Sequence, residues 1–74
     1  MDRATYLQNL EDVDDHIVQG KEHIAKQEAT ITALERDGHL QAVKRAKELL
    51  VVLRDTQKEH EAHRQHILDE LAKT

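Results

Sequence analysis

The sequence predicts an all-α protein: an antiparallel two-helix hairpin, coiled-coil-like, that dimerises into a four-helix bundle. Three observations predict it. Apolar residues recur every seven positions along both halves of the chain. The composition is dominated by Ala, Leu, Glu, Gln, Lys and Arg, the residues that lose least on entering a helix. The only strong punctuation in 74 residues is a pair of glycines, one of them at the centre, and there is no proline.

The elements follow in order. Thr5-Tyr6-Leu7-Gln8 fits a capping box for the first helix, and Asp2 is an alternative N-cap. Helix 1 is expected at about residues 4–37. Gly20 falls inside it, where it costs about 1 kcal/mol relative to alanine, and it reads as a packing glycine and not a break. Gly38, within Asp37-Gly38-His39, can take the left-handed conformation that ends a helix. The turn is therefore placed at 38–39 and helix 2 at about 40–73. No linker or low-complexity tail is left over, so residues 1–74 form one unit.

The heptad assigns the seam. In helix 1, Leu10, Ile17, Ile24 and Ile31 occupy a, with Tyr6, Val13, Gly20, Gln27 and Leu34 at d. In helix 2, Val43, Leu50, Gln57, Arg64 and Leu71 occupy a, with Ala46, Leu53, His60 and Ile67 at d. Two such stripes are what coiled helices bury against each other. A tight turn at Gly38 pairs residues whose numbers sum to about 77, a register that the heptad alone fixes only to a multiple of seven. It sets Leu34 against Val43, Ile24 against Leu53, Gly20 against Gln57, Ile17 against His60, and Tyr6 against Leu71. Each helix is then about 50 Å long at ~1.5 Å per residue. The glutamines in the seam cost stability but can fix register and partner, and Gly20 leaves room for Gln57.

One seam leaves the remaining faces wet, and a chain this size gains only about 3–5 kcal/mol from a single core. The two flanks differ. On one, Lys21 can approach Glu61, Glu28 can approach Arg54 or Lys47, and Glu35 can approach Lys47, each pair worth tenths of a kcal/mol. The other carries His16, His23 and Thr30 with Ala42, Leu49, Thr56 and His63, and is nearly free of full charges. Ala25 and Val52 extend its apolar surface, and Leu49–Leu53 is apolar on every side. A helix segment of that kind is normally buried all round, so two hairpins are expected to pack through the neutral flank as a homodimer.

Composition excludes several other classes. With no cysteine there is neither a disulfide framework nor a thiolate metal site. The longest apolar run, Leu49–Leu53, is far short of the ~20 residues that span a bilayer, and no signal peptide is visible behind Met1. A formal net charge of −4 and a single aromatic, Tyr6, argue against nucleic acid as a partner. Lys44, Arg45, Lys47, Arg54 and Lys58 cluster on helix 2 but are interrupted by Glu48, Asp55 and Glu59. The helices are also not the basic, aromatic-anchored amphipaths that bind membrane surfaces. An enzyme is not expected, since there is no serine or cysteine nucleophile and a hairpin seldom forms a pocket.

The six histidines are the one concentration of chemistry. His60, His63 and His66 recur at intervals of three, and His16 lies opposite them in the expected register. Asp12 stands one turn before His16, and Glu59 one turn before His63. Imidazoles backed by carboxylates suit zinc, nickel or copper, so His16, His60, His63 and His66 are the candidate metal ligands, with zinc or nickel the candidate ion. His60-Glu61-Ala62-His63 is one residue short of the zinc-protease motif, and the Glu-x-x-His motif of di-iron bundles is absent. The alternative to a plain interaction module is thus a metal-binding or metal- and pH-sensing bundle. Full protonation would take the formal charge from −4 to +2, charging His16 and His60 at the seam and loosening it below about pH 6.

The stretch from His16 to Gln27, with Ile31, Leu34-Glu35, Asp37-Gly38-His39, Ala46, Leu49-Leu50, Leu53, Gln57, His60, Arg64 and Leu68-Asp69-Glu70-Leu71, resembles a group of short uncharacterised helical-hairpin proteins of alphaproteobacteria. The likeness covers about residues 16–71. It departs after Gly38-His39, where the group usually has an Asp or Thr able to cap helix 2 and this chain has Leu40-Gln41. The resemblance implies a small bacterial protein of the cytoplasm and carries no activity with it. The leading expectation is therefore an interaction and oligomerisation module that self-associates and docks a protein partner on an exposed groove.

Overall fold

The computed structural model describes residues 2–73. It holds two α-helices, α1 (Arg3–Arg36) and α2 (Leu40–Lys73), packed along each other as an antiparallel hairpin. Each helix has 34 residues, and the molecule measures 54 × 14 × 13 Å. No described helix is long and apolar enough to cross a membrane.

Of the two N-cap readings, Asp2 is the one used. Its Oδ1 accepts from the Thr5 backbone N–H at 2.8 Å, and the chain enters α1 from extended geometry at Asp2. Thr5 and Gln8 then lie within the first turns of the helix, and Gln8 donates to Asp12 instead of reaching back to a cap. At the other end, Gly38 has φ +77°. His39 N–H donates to Leu34 O at 3.0 Å and Gly38 N–H to Glu35 O at 3.2 Å. These are the two bonds of a Schellman motif, which needs a left-handed residue where glycine stands. Nothing lies within 4 Å of a Cβ built there, so backbone conformation and not space requires the glycine. Helix α2 follows at once, with Val43 N–H donating to His39 O at 2.9 Å.

Every residue assigned to the seam is buried or half-buried, from Tyr6 to Leu34 and from Val43 to Leu71. Among the described residues, Ile31, Ala46 and Leu50 form a cluster of buried apolar side chains, with Ile24 and Leu34 packed on it. Val13 and Ile67 are each 2% exposed further along.

The register is the expected one, since Gly20 faces Gln57. Of the three cross-helix ion pairs anticipated, Glu28–Arg54 forms at 3.5 Å; among the described residues Lys21–Glu61 and Glu35–Lys47 do not. The shortest cross-helix pair is instead Asp14 Oδ1–Arg64 Nε, at 2.6 Å. Arg64 is an a position of the seam, and its number and that of Val13 sum to 77, which sets the two opposite each other. Arg64 is half-buried, and its guanidinium reaches the partly exposed Asp14 carboxylate at the rim.

Candidate functional site

Three features rise above ordinary coiled-coil packing: a pair of glutamine clasps, a histidine groove, and an apolar segment left in solvent.

Both seam glutamines cross the interface to bind backbone. Gln27 Nε2 donates to Ala46 O at 2.9 Å, and Gln57 Nε2 donates to Ile17 O at 2.8 Å. The arrangement is reciprocal, one clasp reaching from α1 to α2 and the other back. Gln57 is only 7% exposed, and it fits because Gly20 has no side chain: a Cβ there would overlap its carboxamide. Gly20 therefore acts as a socket. The Gln57 Oε1 that sits in the socket is buried and has no hydrogen-bond partner, which makes this layer costlier than an apolar one.

The histidine groove, about 140 Å³, opens on the neutral flank above this layer, lined by His16, Gly20, His23, Thr56, Gln57 and His60. The His16 and His60 rings, from opposite helices, lie with centroids 5.2 Å apart and planes inclined by 37°. His60 is half-buried and His16 exposed, so the pair sits on the rim of the seam and not inside it. His63 and His66 are exposed and do not line the groove. A step of three residues falls about 60° short of a helical turn, so from His60 each successive histidine swings further off the seam. The structure thus unites His16 with His60, adds His23 to their groove, and leaves His63 and His66 apart. Among the described residues, no three or more His, Asp or Glu side chains are gathered as a metal-holding group.

The charged flank carries a larger depression of about 410 Å³, walled by Glu28, Lys47, Val51 and Arg54 and floored by Ile31 and Leu50. Of the apolar run, Leu50 is buried and Leu53 half-buried. Leu49, Val51 and Val52 are 49%, 58% and 57% exposed. Sequence reasoning found the segment and the Gly20–Gln57 layer. It did not find the carbonyl acceptors of the glutamines, because backbone oxygens leave no trace in a side-chain pattern. Compared with protein-family models, with curated proteins and with solved structures, the chain gives no match.

Proposed function

We propose that the chain is a non-enzymatic helical interaction and oligomerisation module, whose hairpins pair through the neutral flank into an antiparallel four-helix bundle. The observation that carries this reading is the exposure of Leu49 and Val52 on the neutral flank, in the middle of a rod with a small core. The accessible surface, 5500 Å², exceeds the about 4,700 Å² typical of a compact monomer of this mass. The radius of gyration is 16.7 Å, against about 11 Å for a compact chain of this length. A second hairpin laid on Leu49, Val52 and Ala42 would bury apolar surface without burying a full charge, which the Glu28–Arg54 flank would not allow.

Sedimentation equilibrium without added metal tests it. The expected mass at micromolar concentration is twice 8.6 kDa. Leu49→Glu combined with Val52→Glu should return the mass to that of one chain, and Val51→Glu on the opposite flank should not. A strict monomer, or a dimer indifferent to both neutral-flank charges, overturns the reading.

A further inference from the structure

We propose that His16 and His60 form a cross-helix chelate for a divalent transition-metal ion of the zinc and nickel class. Both ligands come from one chain, and their groove opens on the neutral flank, the face through which hairpins are proposed to pair. Two imidazoles on one tetrahedral ion, with metal–nitrogen bonds of about 2.0–2.1 Å and ring centres about 1.1 Å beyond the nitrogens, hold their centroids about 5 Å apart. The two rings already stand at 5.2 Å, the centroid separation that such a chelate requires. Imidazole nitrogen is a ligand preferred by zinc, nickel and copper over magnesium or calcium. In the single hairpin His16 is exposed, which leaves the ion an open approach, and His60 is half-buried on the facing helix.

The ligand count defines what kind of site this is. His23 lines the same groove but lies about 10 Å further along α1 at ~1.5 Å per residue. The protein therefore supplies two ligands, and water completes a four-coordinate ion. Because the two come from different helices, the ion binds the closed hairpin and not the separated helices, so occupancy and folding are coupled.

The test is thermal unfolding of the chelator-treated full chain at pH 7.5, with Zn²⁺ or Ni²⁺ alone added and Mg²⁺ as control, alongside calorimetric titration and sedimentation. Zinc or nickel should raise Tm in a saturable way, at one ion per chain and without change of mass, while magnesium does nothing. His16→Ala and His60→Ala should each weaken binding at least about tenfold, and His63→Ala with His66→Ala should leave it intact. His16 is exposed, so its variant keeps the hairpin even where the His60 variant does not. The proposal is overturned by an absent Tm shift, a shift that survives His16→Ala, a shift lost in the His63/His66 variant, or one ion per two chains with a doubled mass. The metal-free mass reports separately on self-association.

Discussion

The half of the hairpin next to the turn and the half next to its open end are held in different ways. Near the turn, Ile31, Ala46 and Leu50 make a continuous apolar cluster extended by Ile24 and Leu34, and a single polar thread, Gln27 to Ala46 O, crosses it. Towards the open end the seam alternates. Gln57 fills the Gly20 socket, His16 meets His60, and Arg64 meets Asp14, while Val13 and Ile67 are deeply buried outside the Ile31–Ala46–Leu50 cluster. The contrast separates two tasks. An apolar stripe repeated every seven residues supplies stability but is content with any slip of one heptad. A glutamine seated in the gap left by one glycine fits in a single register, the one that the Gly38 turn sets. The near half makes the hairpin stable; the far half makes it unique.

The sharpest way to break this comparison is to remove one large apolar side chain from each half. Truncation of a buried Leu or Ile to Ala costs about 2–5 kcal/mol, more where the surroundings cannot collapse into the space. Leu50→Ala empties the middle of the cluster and belongs at the top of that range. With about 3–5 kcal/mol in the whole hairpin, that change alone is expected to abolish the helical circular dichroism at 25 °C. Ile67→Ala lies near the open end, where the helices can fray and relax. Its expected cost is at the lower end, with hydrogen-exchange protection lost in the far half first. Helical circular dichroism without denaturant, and urea titration of whichever variant stays folded, decide it at one protein concentration. Equal losses, or a larger loss at Ile67, would mean that the two halves do not divide the work.

A subtler test concerns the socket. Gly20→Ala gains about 1 kcal/mol of helix propensity. It also forces Gln57 out of its place and away from Ile17 O, a hydrogen bond with a net worth of about 1 kcal/mol. The single substitution is therefore expected to be close to neutral. In a Gln57→Ala background nothing occupies the socket, and the same substitution should stabilise by about 1 kcal/mol. The difference between the two backgrounds measures the coupling. Identical effects in both would show that the carboxamide does not depend on the glycine.

What the sequence could and could not disclose follows the same division. The seam was legible because burial is written in side-chain type at a fixed period, and Gly38 was legible because only a left-handed turn residue explains a lone central glycine. The contacts that select the register were only half legible. Gly20 opposite Gln57 follows from the count, but the bond to Ile17 O involves an atom every residue possesses. Arg64 was placed on the seam by its number, and only the length of its side chain takes the charge to Asp14. The expectation that His60, His63 and His66 stand together read sequence proximity as spatial proximity, whereas the helical twist carries His63 and His66 outward and leaves His60 with His16 from the other helix.

The smallest expected effect is at the tip of the open end, where two cap readings competed. Hydrogen bonding from the Thr5 backbone N–H, and then from its side chain, holds the Asp2 carboxyl below the ordinary carboxylate range. A carboxylate depressed in the folded state binds its proton more weakly there than in the unfolded chain. Its contribution is therefore complete above the unfolded pKa of about 3.9 and fades as the pH falls through the lower folded value. Asp2→Ala should lower Tm slightly, by the same margin at pH 7 and pH 5, and the margin should shrink below about pH 4 as the native cap is protonated. Thr5→Ala keeps the backbone N–H that is the main donor to Asp2 and removes only the side-chain hydroxyl, so it should cost less than Asp2→Ala. A Thr5→Ala loss exceeding that of Asp2→Ala, or an Asp2→Ala margin unchanged at pH 2, would return the start of α1 to the Thr5–Gln8 capping box and make the open end a different structure from the one described.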